Sequence, residues 1–220
     1  MTIEPVARYH CDLEGKFGLP RQSGVAPSLQ GEVRFLPPYD SPEAVRGLEG
    51  FDWCWLIWGF SLNAPASGSL TVRPPRLGGN KRVGVFASRS PFRPNSLGLS
   101  CVRIESVAGG VLHVSGADLA DGTPVYDVKP YIEYADSRPG ARCGFVDGTL
   151  WQPVEVEMSP EVAALLGEGE SVALRELLSQ DPRPRWQDDP QRQYGLVYAG
   201  YDVKFHVEGG KLFVTSAQKC

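Results

Sequence analysis

No apolar run in this 220-residue chain approaches the roughly 20 residues that a membrane-spanning helix needs, so no membrane partner is expected. Cysteine is sparse: the five residues, at 11, 54, 101, 143 and 220, form no CxxC pair. An odd count without a secretory signal points to a reducing cytoplasm and not to a disulfide framework. His10, His113 and His206 are equally scattered, so no zinc constellation can be read from spacing and no metal is expected. The common nucleotide signatures are missing too. There is no GxGxxG after a strand and no GxxxxGK(S/T); Gly78-Gly79-Asn80-Lys81 is glycine-rich and basic at the wrong spacing. Neither GxSxG nor HExxH occurs. Rossmann cofactors, P-loop NTPases and common hydrolases lose their sequence support.

One further absence is local. The chain carries 26 acidic residues and a net charge of −4, yet it has no Asp or Glu from Trp53 to Ile104. That window holds Arg73, Arg76, Lys81, Arg82, Arg89, Arg93 and Arg103. A basic stretch inside an acidic protein suits a local anionic ligand such as RNA phosphate or a nucleotide; its bland alternative is a solvated face.

What is present is punctuation: 25 glycines and 19 prolines separate short apolar runs. Trp53–Phe60 is apolar on both faces and too short for a typical helix, which predicts a buried central strand. Val83–Ala87, Leu97–Ile104 and Val111–Ser115 follow, with Gly109-Gly110 as a hairpin turn. Short strands without alternating helices predict a mainly β protein with a β-barrel core or a sandwich. Short helices are expected from Ser41 to Gly47, where a capping serine and a proline precede a glycine stop, and from Ser159 through Leu166, continuing over Glu170–Leu178. The pattern weakens near 135–153. We therefore expect a barrel domain over 1–140 and a small α+β C-terminal domain over 141–220, with strands at Tyr194–Tyr198, Val203–Val207 and Lys211–Val214.

Three loop segments combine prolines, which fix φ, with glycines, which admit close backbone approach. They are Lys16–Gln22, Val72–Asn80 running into Ala87–Ser100, and Asp118–Ile132. Their motifs, PRQ at Pro20–Gln22, VRPPRLGGN at Val72–Asn80, RVGVFASRSPFRPNSLGLS at Arg82–Ser100 and DLADGTPVYDVKPYIEYADS at Asp118–Ser137, together with PEAVRGLE at Pro42–Glu49, resemble the TsaA-like, or TrmO, family of tRNA methyltransferases. Asp181-Pro-Arg-Pro and Tyr194-Gly resemble the C-terminal domain of its bacterial members, so the likeness spans nearly the whole chain.

The resemblance implies a β-barrel enzyme that uses S-adenosyl-L-methionine, acts as a homodimer with the cofactor near the subunit interface, and methylates N6-threonylcarbamoyladenosine beside the anticodon of threonine tRNA. By motif, the cofactor contacts fall on Pro20, Arg21, Gln22, Phe60, Ser61, Arg89, Leu99 and the turn Asp118, Leu119, Asp121, Gly122, Thr123 and Pro124. Relatives often have histidine where this chain has Ser61. The cofactor's chemistry suggests that Asp118 or Asp121 accepts from ribose hydroxyls or the amino group, that Phe60 and Leu99 pack on the purine, and that Arg89 pairs with the carboxylate. Taken alone, Asp121-Gly-Thr-Pro124 is an ordinary β-turn.

The carbamoylated N6 is a poor nucleophile whose proton must be removed or shared. Asp127, Lys129 and Tyr131 are the candidates, on one face if this segment is a strand; the alternative is an exposed ion pair. Arg73, Arg76, Lys81, Arg82 and Arg93 are candidate phosphate contacts, with Arg93 beside Asn95 for the threonyl carboxylate. Arg183, Arg185 and Trp186 are candidates for tRNA selection. Two other functions fit the charge pattern: a non-enzymatic RNA-binding barrel, and a methyltransferase acting on another RNA or a small molecule.

Overall fold

The computed structural model describes residues 2–63, 68–74, 77, 81–148, 152–183, 189 and 192–220. In chain order the first elements are β1 (Ala7–His10), β2 (Leu13–Glu14), β3 (Gln30–Phe35), α1 (Pro42–Val45), β4 (Trp53–Gly59), β5 (Thr71–Val72), β6 (Val83–Gly84), β7 (Leu97–Ala108), β8 (Val111–Ser115), β9 (Pro124–Pro130) and α2 (Glu133–Asp136). They are followed by β10 (Glu155–Met158), α3 (Pro160–Leu166), α4 (Glu168–Ser179), β11 (Tyr194–Tyr198), β12 (Tyr201–Glu208) and β13 (Lys211–Lys219). Arg76, Arg185 and Trp186 lie outside the described residues.

Strands β1-β3-β8-β7-β4-β9 close into a barrel, β9 pairing back onto β1, so this sheet has no free edge. Its interior is filled by one side of each strand, including Tyr9, Val33, Cys54, Leu56, Trp58, Val102, Leu112 and Val125. β4 is central, with β7 and β9 on its flanks, but its apolar residues part company. Cys54, Leu56 and Trp58 point inward, while Trp53 on the barrel's exterior is 40% exposed. The run is apolar on both faces, yet only one face is buried within the chain.

β7 and β8 form the hairpin expected at Gly109-Gly110, whose φ values of 59° and 76° only glycine adopts at little cost. Val83–Ala87 departs from expectation: β6 stops at Gly84, and residues 85–87 wind into a 3-10 turn. Ser41 and Ser159 cap α1 and α3 as their motifs predict, accepting from Glu43 N and Val162 N.

A second sheet runs β10-β13-β12-β11-β2, covered by α3 and α4. Its core joins Leu174, Leu177 and Leu178 of α4 to Val203, Phe205 and Leu212. Leu13, Ala26 and Leu29, from the first thirty residues, are buried in this second core, and β2 pairs with β11. The segment between β2 and β3, which carries the Pro20–Gln22 motif, is therefore held between the two sheets.

Candidate active site

One end of the barrel gathers the C-terminal end of β4, the start of β7, the loop after β8 and the start of β9. Asp118 stands here, half-buried. Its Oδ1 accepts from the Ser100 hydroxyl, and Ser100 Oγ in turn accepts from Trp58 Nε1 at 2.9 Å. Ser100 is 1% exposed and faces the barrel interior. Its hydroxyl can be buried because it both accepts and donates. Trp58 lies flat against its cross-strand partner Gly98: a Cβ there would come within 2.3 Å of the indole. The same indole packs edge-on with Phe60, at 4.4 Å between ring centroids.

Burial raises the Asp118 pKa above the usual carboxylate value. The Ser100 hydroxyl, the backbone N–H groups of Asp118 and Ser23, and the charge of Arg89 oppose that rise. Arg89 is itself tied to the 20–24 loop, donating from Nη1 to Gln22 Oε1 at 2.6 Å. Gln22, Arg89, Asp118 and Phe60 are thus joined through Ser100 and Trp58 into one linked group on the barrel rim.

The remaining cofactor candidates are placed differently. Arg21 Nη2 donates to the Asp181 carbonyl at 2.9 Å, bracing the loop against the C-terminal end of α4. Pro20 is buried and Ser61 exposed. Leu119 is 0% exposed and packs in the barrel core, and Thr123 is 2% exposed, so neither side chain is open to a ligand. Gly122 N donates to Tyr9 O and Gly122 O accepts from Arg8, stitching the turn to β1, while Pro124 opens β9 opposite Arg8. Asp121 points away from Asp118, toward His10, with its Oδ1 3.0 Å from His10 Nδ1 and accepting from Cys11 N.

Leu99 sits on the exterior of β7, 56% exposed, in register with Ile57 and, one strand further, Asp127. Asp127 and Lys129 share that outer face and form an ion pair at 2.9 Å. Tyr131 follows the end of β9, its ring centroid 6.0 Å from that of Trp55. The trio therefore shares Leu99's outer face, not the interior side from which Ser100 reaches Asp118. Strand spacing puts Leu99 and Asp127 roughly 10 Å apart across β4.

Among the cationic candidates, Arg73, Lys81 and Arg82 are exposed, with Arg82 Nη1 donating to Thr71 Oγ1 at 3.0 Å. Arg93 is half-buried and donates to Ser88 O at 2.9 Å, two residues from the exposed Asn95. Arg183 forms a two-pronged pair with Asp181.

Two open clefts lie elsewhere. One of about 640 Å³ is lined by His10, Glu32, Arg34, His113 and Asp121, among others, and one of about 450 Å³ by Asp12, Glu105, Glu168, Glu170 and Tyr198. Neither is lined by Gln22, Arg89 or Asp118. Among the described residues no His/Cys/Asp/Glu group could hold a metal ion, and no helix is long and apolar enough to cross a membrane.

Sequence reasoning missed Trp58 and Ser100 as supports of the site. Their roles emerge only from the register of β4 and β7, which turns Ser100 inward and sets Trp58 opposite Gly98.

Comparison with known proteins bears on this arrangement. The family described as tRNA-methyltransferase O N-terminal domain matches residues 8–137, and the TrmO C-terminal domain matches residues 151–219. A Pseudomonas aeruginosa protein, RcsF, is 39% identical over 212 residues, covering 93% of this chain and 92% of its own; its name assigns it to the S-adenosylmethionine-dependent methyltransferases. The tRNA (adenine(37)-N6)-methyltransferase of Escherichia coli K12 is 38% identical over 204 residues, 87% of each chain. A crystal structure of TrmO from Pseudomonas aeruginosa superposes with a TM-score of 0.82 at 33% identity, covering 99% of this chain and 98% of that one.

Proposed function

Because the chain belongs to the TrmO family of S-adenosylmethionine-dependent tRNA methyltransferases, we propose that it methylates N6 of N6-threonylcarbamoyladenosine beside the anticodon of threonine tRNA. The observation that carries this reading is the linked rim group, Gln22, Arg89, Asp118 and Phe60, standing on the family's motifs at the mouth of a closed barrel.

The rim residues suit S-adenosylmethionine in kind. Asp118 offers carboxylate oxygens to an amino group or ribose hydroxyl, Phe60 an aromatic surface to a purine, and Arg89 a forked donor to a carboxylate. When bound, the cofactor supplies an electrophilic methyl group on its sulfonium. The chain's part is to orient. Ser100 and Trp58 fix the direction of Asp118, and the Gln22–Arg89 bond draws the 20–24 loop over the rim. Holding donor and acceptor in line supplies much of the rate enhancement of a methyl transfer. Asp127, Lys129 and Tyr131 are the groups proposed to take or share the N6 proton, with Asp127 and Lys129 already ion-paired on the outer face of β9. Arg93 receives the threonyl carboxylate, with Arg73, Lys81 and Arg82 on the phosphates. A target in a single-stranded loop costs less to extrude than a base in a duplex.

The chain works as a homodimer in this reading. Phe51, Trp53, Leu99 and Ile132, on or next to the outer side of β4, β7 and β9, are each between 38% and 56% exposed, an apolar surface for a second copy. Sedimentation that finds only monomer at micromolar concentration would remove the dimer and leave the chemistry standing.

Labelled methyl transfer tests the main reading. With S-adenosylmethionine as donor, label is expected on threonine tRNA bearing the threonylcarbamoyl group and not on the same tRNA lacking it. Equal labelling of both would overturn the substrate. Labelling of neither, by a folded protein, would overturn the assignment.

A further inference from the structure

Two large apolar rings stand in the open within the acid-free segment. Phe86 is 78% exposed and Phe92 48%. Leaving phenylalanine in water forgoes the stabilisation its burial gives, and here it happens twice in seven residues. Neither ring is on a loose tail. Phe86 is in the 3-10 turn, and Ser88 closes that turn by donating from both N and Oγ to Val85 O. Beyond it the chain is tied to itself residue by residue: Ser90 N donates to Ser88 Oγ, Phe92 N to Ser90 Oγ, Arg93 Nη1 to Ser88 O and Ser96 N to Arg93 O. The segment is bonded at both ends to the rim group, through Arg89 to Gln22 and through Ser96 O to Phe60 N. Arg82, Arg89 and Arg93 interleave with the rings, and no acidic residue lies between Trp53 and Ile104.

A rigid loop that presents aromatic faces among arginines, next to a methyl-transfer site, fits unpaired nucleic acid. Cationic side chains attract the backbone, and every base has a π-face for a ring to stack on. We propose that Phe86 and Phe92 are stacking platforms for the unpaired bases flanking the target nucleotide, splaying the RNA loop so that the target reaches the rim. This rests on the reading of the protein as a tRNA methyltransferase and adds to it the residues that grip the neighbouring bases. A symmetric contact through these rings would set the basic segment against its own copy, so its charge favours RNA phosphate over self-association there.

The test replaces each ring in turn by Ala, Leu and Trp in the full-length protein and measures KM for tRNA, KM for S-adenosylmethionine and the sedimentation coefficient. Ala and Leu are expected to raise the tRNA KM on the order of tenfold per ring, since base stacking needs a π-face, and Trp to restore it. The cofactor KM, melting temperature and sedimentation are expected to stay as in wild type. An unchanged tRNA KM in the Ala variants, or Leu restoring it as well as Trp, overturns the proposal. So does a loss that comes with altered sedimentation, which would make the rings contacts between subunits. A wild-type protein that methylates no tRNA would instead remove the parent reading.

Discussion

Gly98 bears no side chain, and that vacancy is what lets the Trp58 indole lie where its N–H reaches Ser100. Ser100 then has one proton left to give, and it gives it to Asp118. A half-buried carboxylate with a raised pKa is kept usable as an anion by this bond and by Arg89. The charged group that faces it is Arg89; the buried Tyr9 phenol is also near and stays neutral, its pKa raised by burial first and by neighbours including Asp118. Cofactor binding through ionised Asp118 should be present above its folded pKa and fade as pH falls through it, at higher pH than an ordinary carboxylate would show. Removing the hydroxyl in Ser100→Ala takes away a bond to the charged form, so that loss should move to still higher pH, with cofactor affinity at neutral pH reduced about tenfold. Titration calorimetry of S-adenosylmethionine across pH reads this. An unshifted profile would reduce Ser100 to a packing role. Stability runs the other way: a raised carboxylate pKa penalises the folded state above that pKa and relieves the penalty below the unfolded value, so acid does not unfold the protein through Asp118. Asp118 was legible in its motif. Trp58 and Ser100 were not, because their roles depend on which residues face each other across β4 and β7.

The loop between β2 and β3 owes its position to a helix some 150 residues later. Ser28 donates from N and Oγ to the two carboxylate oxygens of Glu176 on α4, at 2.8 and 3.0 Å. Gln180 donates to Val25 O, and Asp181 O accepts from Arg21. Charge-assisted bonds of this kind contribute roughly 1.5–3 kcal/mol each when desolvated. Glu176→Ala should free the loop while the barrel stays folded. Hydrogen exchange is expected to accelerate across 20–29 with the β4–β7 amides still protected, and cofactor affinity to fall with it. Exchange unchanged in that loop would contradict the clamp. At this scale the glycine-bounded hairpin β7–β8, the capped helices and β11 could be read directly, since turn and cap chemistry are local. β1 and β2, only four and two residues long, could not, nor could the bulge where β9 slips by one residue between Ile57 and Trp58. Short strands are defined by their partners, and those partners are distant in sequence.

Over the whole molecule the charge is divided. The acid-free segment adjoins the rim, whereas the two open clefts are edged by Asp12, Glu14, Glu32, Asp121, Glu105, Glu168 and Glu170. In the proposed reading, phosphate-bearing RNA is drawn to the first and repelled by the second. The barrel and the C-terminal sheet were both foreseeable from strand spacing and the change of pattern near 135–153. That an early segment crosses to complete the second sheet was not, because β2 carries no signal apart from its pairing with β11. In the proposed reading the methyl donor sits on the barrel rim, among Gln22, Phe60, Arg89 and Asp118. A crystal structure with bound S-adenosylhomocysteine tests it most directly. The adenosine is expected against Phe60, with Asp118 within hydrogen-bond distance of the ligand. Density in the His10–Glu32–His113 cleft, with the rim empty, would contradict it.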